Sequence, residues 1–163
     1  MKTAFYLLIS LCVCPAFAQG EGLRHYTVSG LSMSPALMPG DVVEVDAGEE
    51  NINRADLVAV KLLNAPVPMI KRVIAIPGDR LEVKGNILWI NDRASDPAVA
   101  VEPGRWATLL REIERDGWIV PEKAFLLLGD NLENSRDSRR LGLISSDQLK
   151  GKVVRVIKSR RVK

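Results

Sequence analysis

Most of the chain alternates short β-branched apolar runs with clusters of Gly, Pro, Asn and Asp. Residues 41–46 (DVVEVD), 57–63 (LVAVKLL), 69–76 (MIKRVIAI), 124–128 (AFLLL) and 152–157 (KVVRVI) each predict a strand. The third run ends at Pro77-Gly78-Asp79, a strong turn signal. Residues 80–84 and 86–90 flank Gly85 and predict a hairpin. One segment has a different period. Trp106, Leu109, Leu110 and Ile113 recur at helical spacing, with Arg111, Glu112, Glu114 and Arg115 on the other face. It predicts a short amphipathic helix over 106–116, between Pro103-Gly104 and Asp116-Gly117, within an insertion at about 91–120. The pattern predicts a mainly β fold with one short helix-containing insertion.

The first residues follow another logic. Lys2 precedes an apolar run at 4–14 interrupted only by Ser10; Pro15 breaks the run, and Ala16-Phe17-Ala18 then precedes Gln19. This is the tripartite form of a secretory leader with an A-x-A cleavage site. The run is shorter than the ~20 residues of an ordinary membrane-spanning helix. Cleavage after Ala18 is therefore the expectation, and an uncleaved anchor the alternative. Residues 1–18 read as leader or anchor, and 19–163 as one domain outside the cytosol. Both cysteines, Cys12 and Cys14, lie in the leader, so the rest of the chain has no disulfide framework.

Charge adds little. The net charge of +3 is concentrated in the tail at 158–163. Such a tail suits anionic lipid or solvent, and no nucleic-acid reading motif accompanies it. The lone His25, beside Tyr26 in what reads as a linker, is expected to be a surface residue. Trp89, Trp106 and Trp118 could reach a lipid interface, where such rings are favoured, although Trp106 fits the core face of the helix better.

With one histidine and no thiol outside the leader, a hydrolase has few routes to a nucleophile. Serine activated by lysine is one. Ser32 lies among small and turn-forming residues in Ser29-Gly30-Leu31-Ser32-Met33-Ser34-Pro35. Lys71 sits among Met69, Ile70, Val73 and Ile74, surroundings able to depress a lysine pKa from its usual ~10.4. The bland alternative is an edge-strand lysine facing solvent. A third segment, Gly129-Asp130-Asn131 through Ser135, Asp137, Ser138 and Arg139, is dense in hydrogen-bonding groups. It reads as a surface loop, a support for the lysine, or a calcium site. Its spacing does not match an EF-hand and its arginines oppose a cation.

In this order the three segments resemble those of bacterial type I signal peptidases, Ser-Lys endopeptidases that remove secretory leaders. The likeness runs from Ser29–Leu37 and Gly40-Asp41-Val42-Val43 through Ile70–Asp79 to the segment that begins at Gly129, with Leu141-Gly142 and Gly151-Lys152 beyond it. The resemblance implies the antiparallel β-sheet fold of that family. It implies Ser32 as nucleophile and Lys71 as general base and then general acid. Ser135 would hydrogen-bond and orient Lys71, and Asp137 with Arg139 would form a supporting salt bridge. The Ser32 backbone N–H would serve the oxyanion. Where some members add a serine hydroxyl, this chain has Gly30. Val28, Met33, Leu37 and Ile70 would line pockets for small leader side chains.

The chain also departs from common family residues at Leu132-Glu133 and Arg140-Leu141. The implied partners are precursors with A-x-A leaders and the membrane surface, with no metal, organic cofactor or nucleic acid. The implied location is the outer, periplasmic side of the cytoplasmic membrane, or the periplasm itself if the leader is removed. The rivals are a specialised maturation peptidase of the same superfamily, for example for a conjugative pilin, and a non-catalytic module that binds leaders. A related self-cleaving repressor class shares the dyad, but the leader argues against it.

Overall fold

A computed structural model describes residues 22–63, 65–95, 99–115 and 118–158. The expectations for the leader, for the tail beyond Lys158 and for the end of the helix at Asp116-Gly117 lie outside these residues.

The strands, in chain order, are β1 (Leu23–Thr27), β2 (Val42–Asp46), β3 (Leu57–Val60), β4 (Met69–Ala75), β5 (Leu81–Lys84), β6 (Ile87–Ile90), β7 (Arg93–Ala94), β8 (Ala124–Leu128), β9 (Ile144–Ser145) and β10 (Leu149–Ile157). Helix α1 (Pro103–Arg115) falls between β7 and β8, and the single turn α2 (Ser138–Leu141) between β8 and β9. Seven strands form an antiparallel sheet in the order β1-β2-β10-β3-β4-β8-β9, and β5-β6-β7 form a smaller one. The mainly β architecture with one inserted helix is as the sequence pattern implies.

The differences from expectation are local. β3 stops at Val60, because the Lys61 N–H turns to the Gln148 carbonyl and a turn from Leu62 to Ala65 follows. β1 lies where the sequence reads as linker. Its side chains are mostly exposed, so it lacks the apolar alternation that marks a strand, and it is held by pairing with β2. Its His25 is a surface residue as expected, with Nε2 3.0 Å from Glu44 Oε2. Helix α1 starts three residues early, at Pro103, where a missing N–H is harmless.

Alternation along β3 and β4 divides the core. Ala59 and Ile70 pack with Val28, Met33, Leu37, Val43 and Val45. Val58 and Val73 face the other side, with Val60, Phe125, Leu127 and Ile144. A third cluster joins Trp106, Leu109 and Ile113 of α1 to Leu81, Leu88, Leu126 and Leu128. Each such side chain contributes on the order of 2 kcal/mol by leaving water. Trp106 is a core residue, as the helical spacing favours. Trp118 packs against the same cluster, and Trp89 carries Lys84 Nζ 4.4 Å from its ring centroid.

β10 crosses the middle of the large sheet and needs a glycine to do so. Gly151 has φ +132°, and a Cβ there would overlap the carbonyl of Asp46. Gly151→Ala is therefore expected to lower stability by about 2–4 kcal/mol, read from the urea midpoint. A loss below about 0.5 kcal/mol would contradict this account of the crossing.

Candidate functional site

The segment after β1 is folded on itself. Val28 N–H donates to the Asp41 carbonyl at 2.8 Å and Gly40 N–H to the Val28 carbonyl at 2.8 Å. Met33 and Leu37, each 1% exposed, anchor it in the core. The buried Asp41 carboxylate accepts from Met38 N–H at 2.9 Å and from Lys158 Nζ at 3.2 Å, which ties the loop to the end of β10. Ser32, partly exposed, sits on this scaffold. Its carbonyl accepts from Asn131 N–H at 3.0 Å.

Lys71 lies on β4, on the stretch before β8 begins to pair with it, yet its side chain is turned away from water, so the reading as a solvent-facing lysine fails. It pairs with Val58 and shares a face with it and with Val73. Only 3% of it is exposed. Its Nζ donates to Ser32 Oγ at 2.9 Å and to the Ile70 carbonyl at 3.1 Å. Burial drives its pKa below the ordinary lysine value. Asp137 and Asp130 pull partly against this from a distance, and Arg139 adds to the lowering.

Residues 129–139 wrap the lysine. Asp137, 2% exposed, caps α2 and accepts from Arg139 Nε at 2.8 Å, Arg139 Nη2 at 3.0 Å and Gly129 N–H at 3.1 Å. Burial alone would raise its pKa. The Arg139 hydrogen bonds, the nearby Ser135 hydroxyl and the Gly129 N–H instead hold it below the usual carboxylate value. Arg139 Nη2 reaches on to the Leu132 carbonyl at 2.7 Å. The salt bridge implied by the resemblance is present.

The implied bond from Ser135 to Lys71 is not made. Ser135 Oγ is buried and completes no hydrogen bond of good geometry. It rests against the backbone of Gly129, where a Cβ would overlap both Ser135 Oγ and the Ser32 carbonyl. Close packing around that glycine, rather than a bond to the amine, positions the hydroxyl.

A cleft of about 560 Å³ opens at the Ser32–Lys71 pair. Val28, Met33 and Ile70 line it; Leu37 belongs to the same cluster but lies behind the wall, so its implied place in a pocket is corrected. Gly30 is at the rim with no atom within 4 Å of a Cβ placed on it. The sequence reading gave no role to Arg72. Its guanidinium grips Asp130 with two bonds of 2.7 Å and donates to the Ala55 carbonyl at 2.8 Å, so the strand that carries Lys71 also fixes the loop. Its signal was alternation: next to Lys71, Arg72 must face the other side. Ser138, also unassigned, accepts the Leu127 N–H at 3.0 Å through its buried Oγ.

Comparison with known proteins places this geometry. Residues 1–157 match the family model described as signal peptidase, peptidase S26. A signal peptidase IB of Staphylococcus aureus is 34% identical over 145 residues, covering 78% of this chain and 74% of its own. A signal peptidase I of Bacillus caldolyticus is 31% identical over 140 residues, covering 79% and 76%. The crystal structure of a signal peptidase I from Enterococcus faecalis V583 aligns with 64% of this chain and 98% of its own, with a TM-score of 0.45 and 22% identity. The family model and the two sequence relatives define a class, the peptidases, which are hydrolases. Within that class the chain belongs to the signal peptidase family, peptidase S26.

Two stability effects follow from the site. Asp137→Ala strands the buried Arg139 and is expected to lose about 3–5 kcal/mol in denaturant unfolding. The Asp137 contribution holds above the usual carboxylate pKa of 3.8 and fades as pH falls through its lower folded value. Lys71, whose pKa is also lowered, shifts stability in the same direction with pH, but through loss of a buried charge rather than gain of a paired one. Its depressed pKa means the unfolded chain binds more protons as pH approaches 10.5, so stability rises with pH through that window. Lys71→Met is expected to raise stability by about 1 kcal/mol at pH 7; a clear fall in melting temperature would contradict the desolvation argument.

Proposed function

We propose that this protein removes leader peptides from exported precursors, with Ser32 as nucleophile and Lys71 as general base. One observation carries the reading: a lysine amine 2.9 Å from a serine hydroxyl, on a side chain 3% exposed. A neutral amine there can take the Ser32 proton as Oγ attacks the scissile carbonyl. Charge then develops on the carbonyl oxygen, and the Ser32 backbone N–H is the expected donor to it, worth a few kcal/mol of barrier. The ammonium of Lys71 returns the proton to the leaving amine, which departs as the new N-terminus of the mature protein. Water, deprotonated by the same amine, hydrolyses the acyl-enzyme and frees the leader.

Strand geometry supports an extended substrate. β8 pairs with β4 only from Arg72 onward, so Met69–Lys71 has a strand neighbour on the β3 side alone. β1 is the end strand of its sheet. Both border the cleft, and each can add a peptide strand. Val28, Met33 and Ile70 would then receive the small side chains of A-x-A.

The reading sets the domain on the outer face of the cytoplasmic membrane. The leader-like first 18 residues and exposed Leu31 (47%), Leu63 (97%) and Val67 (60%) favour it. No helix among the described residues is long and apolar enough to cross a membrane.

The test is cleavage of an A-x-A precursor by the native chain, Ser32→Ala and Lys71→Ala. Product ending at A-x-A from the native chain alone, with at least a ~10³-fold loss in each variant, is expected. Leader binding without cutting by any of the three would make it a binding module. The acid limb of kcat/KM should rise with pH to a midpoint below the ordinary lysine value of 10.5, because the protonated amine cannot act as base. A rate flat from pH 5 to about 10 would remove Lys71 from that role.

A further inference from the structure

The cleft does not stop at the Ser32–Lys71 pair. Arg136 lines it, and the same side chain lines a second recess of about 250 Å³. Leu62, from the β3–β4 connection, Leu141 at the end of α2, Leu143, and Ile144 at the start of β9 wall that recess. These belong to different elements from Val28, Met33 and Ile70, the wall assigned above to the leader.

Arg136 stands exposed at the junction. Three neighbouring arginines are committed: Arg139 to Asp137, Arg105 to Glu133, Arg72 to Asp130; Arg140, also exposed, lines neither hollow. Arg136 has no carboxylate partner among the described residues. An unpaired guanidinium at the mouth of a peptide cleft matches a carboxylate in charge and in fork geometry.

A precursor that lays its leader side chains on the first wall must carry its other arm away across the dyad. We propose that this arm, the start of the mature protein, runs past Arg136 into the apolar recess, so that precursors with Asp or Glu near the new N-terminus are preferred. The first three mature positions, at ~3.3 Å per extended residue, are the ones that leave the dyad along the cleft that Arg136 lines. The inference rests on the peptidase reading, since only a cut substrate has a mature side.

The test uses the full chain and precursors that differ only by Asp against Asn at one of those three positions. A control set places the same exchange at the middle residue of A-x-A. The native chain is expected to favour Asp by about threefold in kcat/KM at one or more mature positions. The preference should shrink towards unity at about 0.5 M salt, as for an exposed ion pair. Arg136→Gln should abolish it and Arg136→Glu should reverse it. Each result is a ratio between two substrates, so a general loss of activity cancels, and the salt series on the native chain needs no variant. Equal cutting of Asp and Asn forms at every mature position overturns the proposal. So does a preference that survives Arg136→Glu, or one confined to the leader control. If the native chain cuts no precursor at all, the peptidase reading itself has failed. Cutting without a charge preference removes only the role of Arg136.

Discussion

The site depends on keeping water away from one amine. A lysine in solvent stays protonated at neutral pH and has no lone pair to offer. On β4, between β3 and β8, Lys71 loses most of its hydration, and that loss is the largest influence on its pKa. The nearby carboxylates of Asp137 and Asp130 oppose the effect, because each favours the ammonium form. Arg139 and Arg72 engage them in two-pronged pairs. Two ion pairs, one buried and one partly exposed, thus keep the carboxylates hydrogen-bonded to something other than the amine.

Distance in sequence is bridged by backbone as much as by side chains. Ser32 and Lys71 are 39 residues apart and meet at 2.9 Å. Their relative placement is set by the Asn131 N–H on the Ser32 carbonyl, by the Gly129 N–H on Asp137, and by the absence of any side chain at Gly129. Helix α1 supports the same loop from outside. Arg105 holds Glu133 with two bonds of 2.8 Å, and Glu112 accepts from Leu143 N–H at 2.7 Å. The insertion is therefore a buttress of the loop that surrounds Lys71, and Glu133, a departure from the common family residue, is half of one of its struts.

Much of this was legible in the sequence, and the limits have physical reasons. The apolar runs at 42–46, 69–75 and 124–128 announced their strands because each is largely buried. β1 was silent because an exposed edge strand has no apolar period to show. Ser32 and Lys71 were legible as residue types that together offer a nucleophile and a base, whereas the Asp137–Arg139 pair was legible only through the family resemblance. The state of Ser135 was not, because a hydroxyl with a backbone on one side and a carboxylate near it is decided by tenths of an ångström. Arg136 was hidden too: a sequence shows a cation in a loop, and only the fold shows two hollows meeting at it.

The sheet order has a temporal meaning. β2 and β3 come early in the chain, yet they are not neighbours; β10, the last described strand, lies between them and pairs with both. Until β10 arrives, both have open edges and the loop bearing Ser32 lacks its tie to Lys158. Long-range closures of this kind come late in folding. A peptidase built this way is assembled around a strand that comes late in its chain, so a half-made copy emerging beside other nascent chains holds a serine and a lysine but no formed site.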